Sequence, residues 1–329
     1  KHLSLVSDFM NINLDGQFDI PKLFSSVESY LSPHFPVFDS YQVGVQNFNF
    51  NLKLFNSSII KEFMSFGVDF ADESYISGNF NNMGDGLEIN LECPSLRWNK
   101  WFLTNIKLNS SATSKFWDLN YQGSNVYYGD QLLTENIEYD QVGSFGNLRN
   151  ILSWYSADSL KSNGIIKANT LVNNGQLDLH FEPSCFYFSD TLWSIQDCSA
   201  LKFDMDDFQA QIFLNTNVQD IQFDWRGNKE NYFSSVLLNN FEIVGFHPWY
   251  SASNSIIDGQ ISGIFEAYHL SGEDKFYAQF QTDSLYFNDE LFGLLEIDLD
   301  YDNIIKKHKI SGAVQKNNEV SISFDGLYP

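Results

Sequence analysis

Cysteine is scarce. The 329-residue chain holds three, Cys93, Cys185 and Cys198, and their spacing is not that of a zinc site. Cys185 and Cys198 flank an aromatic segment and could meet across a hairpin, which leaves one thiol over; the alternative is three free thiols. Basic residues are also scarce, 19 Lys and Arg against 42 Asp and Glu, for a formal charge of -23 and a pI near 4.4. Such a surface repels nucleic-acid phosphates and anionic headgroups at long range, so nucleic acid is not an expected partner. No run of about 18 apolar residues exists to span a bilayer as a helix, and no signal peptide opens the chain. Proline-rich linkers and low-complexity tracts are missing too.

Catalytic signatures are equally thin. There is no G-x-S-x-G elbow, P-loop or H-E-x-x-H. The six histidines, His2, His34, His180, His247, His269 and His308, lack partners at metal or catalytic spacing. Asp298, Asp300 and Asp302 imitate the start of a calcium loop, but Asn303 stands where Gly belongs and Lys309 where the closing Glu belongs. They read as the solvated side of a strand. Asp204, Asp206 and Asp207 cluster in FDMDDF, yet a glycosidase pair needs a set separation across a cleft. The expectation is a protein without enzymatic activity, metal or cofactor.

What the chain does have is alternation. In GLLEIDLDYD, Leu295, Ile297, Leu299 and Tyr301 alternate with acidic residues, so a strand there is greasy on one side and charged on the other. FNFNLKLF places Phe48, Phe50, Leu52 and Leu54 on one face, and LEINLE does so with Leu87, Ile89 and Leu91. WFLTNIKL supplies Phe102, Ile106 and Leu108; QLDLHFEP supplies Leu177, Leu179 and Phe181. Further on come Leu201, Phe203 and Met205, then Ile212 and Leu214, then Ile221, Phe223 and Trp225. The last runs give Phe276 and Phe280, then Val320, Ile322 and Phe324. Short polar turns such as NNMGDG, SGED and QKNNE separate these runs, the mark of an antiparallel meander.

Helical spacing is confined to two places. PKLFSSVESYLSPHF puts Leu23, Val27, Tyr30 and Leu31 on one side, with Pro21 near the start and an end before Pro33. NSSIIKEFMSF (56–66) offers a serine N-cap, then Ile59, Ile60, Phe63 and Met64. Each helix would cover a sheet edge or end. A loose internal echo links YISGNFNN and IDGQISGIF, each a glycine-marked strand that opens a group of alternating strands.

The alternation fits a packed sandwich or barrel and also an open, curled sheet whose apolar face lines a trough. Many strands in meandering order, with faces heavy in Phe and Leu and poor in buried polar anchors, favour the trough. A trough of that kind exposes more apolar surface than a monomer normally shows and calls for a ligand. Acyl chains suit it, since they need no hydrogen bonds and each buried methylene contributes about 0.8 kcal/mol. The fold class expected is therefore all-β: a long, curved, antiparallel meandering sheet, taco-like or groove-like, with one or two short helices. Residues 1–329 read as one continuous segment, with 1–145 and 146–329 as candidate sub-units, and both termini read as cuts through a longer protein.

Several phrases resemble the TamB (translocation and assembly module) family of the AsmA-like superfamily, in its Bacteroidetes form. They are ISGIF, SLYFNDELFG, LLEIDLDYD and FDGLYP in residues 257–329, together with MNINLDGQFDIPKLFSSVESYLSPHFP and LHFEPSCFYFSDTLWSIQDCSALKFD. DNIIKKHK is more charged than the family pattern, and 109–170 matches only loosely. The resemblance implies a periplasmic β-groove protein anchored in the inner membrane and concerned with outer-membrane biogenesis. Its expected cargo is a phospholipid or other acyl-chain lipid, and its expected partner an outer-membrane barrel of the TamA/BamA type. No catalytic residues come with it. Three rivals stand beside lipid transfer: an assembly factor that holds unfolded β-strands, a surface β-sandwich that binds glycans through Trp98, Trp101, Trp193 and Trp249, and a plain structural module of an adhesin.

Overall fold

The computed structural model describes residues 1–35, 38, 40–41, 43–55, 68–84, 86–156, 163–173, 176–188, 191–204, 207–228, 230–243, 257–270, 272–288, 290–302, 305–317 and 319–328. The fold is all-β, a meandering antiparallel sheet of 22 strands. The chain divides into two compact units, Lys1–Leu177 and Asp178–Pro329.

The first unit contains β1 (His2–Val6), β2 (Met10–Gln17), a 3-10 turn (Ile20–Lys22) and α1 (Leu23–Leu31). Then follow β3 (Asn47–Leu54), β4 (Val68–Phe70), β5 (Tyr75–Asn81), β6 (Gly86–Trp98), β7 (Trp101–Ala112), β8 (Trp117–Tyr128), β9 (Gln131–Ser144), β10 (Asn147–Trp154) and β11 (Gly164–Asn173). The boundary to the second unit falls within β12 (Gln176–Phe188). Beyond it lie β13 (Thr191–Ile195), β14 (Ala200–Asp204), β15 (Asp207–Asn215), β16 (Asp220–Gly227), β17 (Tyr232–Glu242) and β18 (Ile257–Leu270). The series ends with β19 (Glu273–Phe287), β20 (Glu290–Asp302), β21 (Lys307–Lys316) and β22 (Glu319–Tyr328).

Consecutive strands are ladder neighbours with two exceptions. β4 and β5 both lie against β6, and β13 and β14 both lie against β15. Each pair takes the place of one long strand. Within the described residues, strands in extensive contact are ladder neighbours.

α1 forms where Pro21 pre-sets the backbone of the first turn and Leu23, Val27, Tyr30 and Leu31 recur at helical spacing. That side packs on a buried cluster that includes Leu14, Phe48, Phe80, Leu87, Ala112, Trp117 and Leu148. Tyr30 meets Phe80 edge-on at 5.6 Å, and Phe35 meets Trp117 at 4.9 Å. Each large side chain buried here contributes about 1.5–3 kcal/mol. His34, fully buried, donates from Nε2 to the Thr113 carbonyl at 2.7 Å and ties the end of the helix to the β7–β8 turn. The second expected helix, 56–66, lies outside the described residues.

The cysteines are free thiols. Cys185 and Cys198 are exposed; Cys93 is buried, accepts from Ser74 Oγ at 3.1 Å and donates to the Ser95 carbonyl at 2.9 Å.

One feature of the first unit departs from simple alternation. Asn105 and Asn136 lie inside strands β7 and β9 with φ of 49° and 46°. Asparagine tolerates this left-handed region better than most residues. Asn105 Nδ2 donates to Ser124 Oγ of β8 at 3.2 Å, so the two strands are creased side by side. Across the crease, the buried positions of β8 step by three residues rather than two, from Gly123 to Val126, and half-buried Leu103 of β7 lies opposite Val126.

Candidate functional site

Register assigns the apolar positions to rows that run from strand to strand. In the first unit the row nearest α1 is Gly16, Phe48, Phe80, Leu87, Ala112, Trp117, Gly143 and Leu148. The next begins Leu14, Phe50, Gly78, Ile89 and Ser110. The third is Ile12, Leu52, Ile76, Leu91, Leu108, Tyr121, Tyr139, Leu152 and Ile166. Leu54 lies opposite Met10, and Ile106 opposite Cys93.

These placements correct three expectations. Phe48 and Leu87 are not open lining, because α1 covers their row. Phe102 lies beyond the asparagine crease, and its row holds Arg97 and Tyr127; the Arg97 guanidinium sits 5.1 Å from the Phe102 ring. Nor is the apolar face poor in polar anchors. Asn150 accepts from Tyr139 Oη and from Gln141 Nε2, both at 2.8 Å, and donates to Thr170 Oγ1 at 2.8 Å. Gln141 Oε1 accepts from Trp117 Nε1 at 2.8 Å. The network satisfies itself, as half-buried polar groups must to avoid a desolvation penalty.

In the second unit two long rows are apolar throughout. One is Ile195, Leu214, Ile221, Leu238, Gly263, Phe280, Ile297, Gly312 and Phe324. The other is Ile212, Phe223, Val236, Phe265, Ala278, Leu299, Ile310 and Gly326. Leu295 continues into Val314 and Ile322. Glycine has a specific use here. A Cβ on Gly312 would lie 2.4 Å from the Phe324 ring, and one on Gly78 of the first unit 2.6 Å from the Phe50 ring. Those rings therefore lie along the sheet over a neighbouring glycine. Sequence alone does not show this, because it depends on which residues are paired across strands.

Two more rows complete the face at one end of the strands. Leu201, Ala210, Trp225, Ser234, Ala267 and Phe276 form the first. Phe203, Phe208, Gly227, Tyr232, His269 and Asp274 form the second. Trp225 stacks on Tyr232 at 4.5 Å, and Tyr232 on His269 at 5.4 Å. Val320 departs from its expected face: a register shift sets it opposite Gln315, and it is 62% exposed. Leu177, Leu179 and Phe181 are half-buried on β12, ahead of the part of that strand whose register is described, Ser184–Phe188.

The opposite face is mixed, with polar residues set among Leu237, Ile264, Phe233 and Tyr268. Gln279 pairs with Asp298 and Gln281 with Glu296. With Asn239, Ser262, Leu237 and Ile264 they line a depression of about 560 Å³. A smaller one of about 270 Å³ lies at the crease of the first unit, lined by Asn105, Ser124, Asn136, Lys107, Gln122 and Glu138.

The tryptophans divide. Trp193 is buried against Phe241 at 5.9 Å, while Trp98 and Trp101 are exposed at the β6–β7 hairpin. Trp249 lies outside the described residues, as do His247, Asp206 and Met205. Asp302 pairs with Lys309 at 2.6 Å, and no metal-holding group of His, Cys, Asp or Glu occurs among the described residues. No helix of the described chain is long and apolar enough to cross a membrane. No family model matches the chain, nor does any curated protein or solved structure.

Proposed function

We propose that this chain holds acyl-chain lipids on its apolar sheet face as a segment of a periplasmic lipid-transfer bridge between inner and outer membrane. The observation that carries the reading is the pair of rows in the second unit. Leu, Ile, Val, Phe, Ala and Gly follow one another across successive strands without a polar interruption. The described apolar cluster of buried side chains lies in the other unit, under α1. A hydrocarbon chain on these rows gains about 0.8 kcal/mol for each methylene removed from water. Moving it along a row exchanges one apolar contact for another, so the free energy stays level along the path. A carboxylate in the row breaks that level, since an unpaired charge in apolar surroundings is strongly disfavoured.

The test is binding of a fluorescent phospholipid by the purified chain and by Ile297→Asp and Phe223→Asp. The wild type should load lipid and both variants should lose most of it while their melting curves remain cooperative. A wild type that takes up no lipid, or variants that load as well as it does, would overturn the reading.

A further inference from the structure

We propose that the cross-strand pairs Gly263–Phe280 and Gly312–Phe324 level an apolar row of the unit Asp178–Pro329, so that an acyl chain slides across strands instead of lodging in a pocket. The inference rests on the lipid-holding reading above and adds the residues that position the chain and the motion they permit.

Side chains on a strand ordinarily stand roughly perpendicular to the sheet. A row that runs Leu238, Gly263, Phe280, Ile297, Gly312 and Phe324 should then be rough, with a hollow at each glycine and a ridge at each ring. Register removes the roughness. Gly263 is paired directly with Phe280, and Gly312 with Phe324. A Cβ on Gly312 would collide with Phe324 Cζ and lie 2.8 Å from Cε1, and one on Gly263 would lie 2.6 Å from Phe280 Cδ1. Each ring therefore leans over its own partner glycine, and the ridge fills the hollow. Carbon atoms in contact lie about 3.5–4 Å apart, so a ring laid down in this way adds a single atomic layer above the backbone.

The arrangement recurs. On the apolar face of the first unit Phe50 Cζ lies 2.6 Å from the Cβ position of Gly78, its cross-strand partner, and Trp154 Cη2 lies 2.5 Å from that of Gly164. In the neighbouring row of the second unit, Ala278 faces Phe265, again small against large. Glycine weakens a strand interior, so strand stability alone does not select it at these positions. A hydrocarbon chain that crosses a level row keeps contact with carbon throughout. A hollow would give it extra contacts to break on leaving, and a ridge would lift it off the neighbouring residues. Either fault slows passage more than it changes the amount held.

The experiment uses the full 329-residue chain and measures two quantities for a fluorescent phosphatidylethanolamine: equilibrium loading, and the rate of transfer from donor to acceptor phosphatidylcholine vesicles. Gly312→Ala sets a Cβ beneath the Phe324 ring, and also 2.8 Å from the Glu296 carbonyl oxygen. Phe324→Leu removes the far end of the ring, so the double variant separates the ring from the backbone. Gly312→Ala should slow transfer about fivefold with Phe324 present and by less than about twofold with leucine there. Loading should stay within about twofold of the wild type throughout. Equal slowing in both backgrounds overturns the proposal, because the effect then belongs to the backbone; so does a Gly312→Ala variant as fast as the wild type, or one whose loading falls as far as its rate. Each of these leaves lipid holding intact, whereas a wild type that takes up no lipid overturns lipid holding itself. Independently of lipid, the ring current of Phe324 should move a Gly312 α-proton upfield in the NMR spectrum, and Phe324→Leu should return it. A Gly312 signal that is the same in both proteins overturns the ring placement.

Discussion

The backbone N–H of Phe276 donates to His308 Nε2 at 3.0 Å, from β19 to β21 with β20 between them. The described β19–β20 ladder runs only as far as Ala278 and Leu299 at this end, so the imidazole takes a donor the ladder no longer serves. The His308 ring lies 5.1 Å from Phe276 and 5.0 Å from Tyr301 and is buried. His308→Leu keeps the apolar bulk and removes the acceptor. It should cost about 1–3 kcal/mol in urea unfolding and speed hydrogen exchange at the Phe276 amide. His308→Gln, which can still accept, should recover part of both. Unaltered exchange in the leucine variant would show that the bond is not made.

Tyr121 poses the reverse case. Its hydroxyl is buried in the apolar face of the first unit without a hydrogen-bond partner. Burial, and then the nearby Cys93, raise its pKa above the ordinary phenol value. A raised folded-state value means that the folded chain keeps its proton longer than the unfolded chain. The associated stability is fully present below about pH 10 and is lost as pH climbs through the folded value. Tyr139, also raised by burial, acts in the same direction. Tyr121→Phe should be neutral or stabilising by up to about 1 kcal/mol at pH 7, and its alkaline unfolding should begin at higher pH. Melting curves at pH 7 and pH 10.5 test this, and a clear loss at pH 7 would contradict it.

The asparagine crease separates two positions that simple alternation puts together. Ile106, 4% exposed and opposite Cys93, should not accept a charge, and Ile106→Asp should cost more than about 3 kcal/mol. Phe102, beyond Asn105, has Arg97 at hand, and Phe102→Asp should cost less than about half as much. Denaturant titrations of the two variants decide the matter; equal losses would mean that the face runs through uncreased.

The packing of α1 gives a further contrast. Phe80 is fully buried at its contact with Tyr30, and Phe80→Ala should cost about 3–5 kcal/mol. Phe24, on the same helix but 83% exposed, should tolerate serine within about 0.5 kcal/mol. Thermal unfolding of both variants measures the difference.

Much of this architecture is legible in the sequence because strand periodicity is short and regular. Ile212, Phe223, Phe280, Ile297 and Leu299 each stand in an apolar row, as two-residue spacing requires. α1 is legible from Pro21 and its helical spacing, though not the row it covers. The failures share a cause: alternation locates a residue within its own strand and says nothing of its partners. Asn105 breaks the period in mid-strand, and a shift between Val314 and Gln315 moves Val320. Gln141 and Asn150 stand in one row with Leu119 and Ala168, a placement that the pairing of strands sets and the sequence of one strand does not.

The doubled strands have a consequence for how such a chain can lengthen. Because β4 with β5, and β13 with β14, each occupy one place in the ladder, the odd-even count of places survives both interruptions. In a meander that parity decides on which border each turn emerges. Gain or loss of a whole hairpin preserves it. Gain or loss of one strand would exchange the two borders for everything downstream, so growth by pairs is the step that leaves each turn on its own margin.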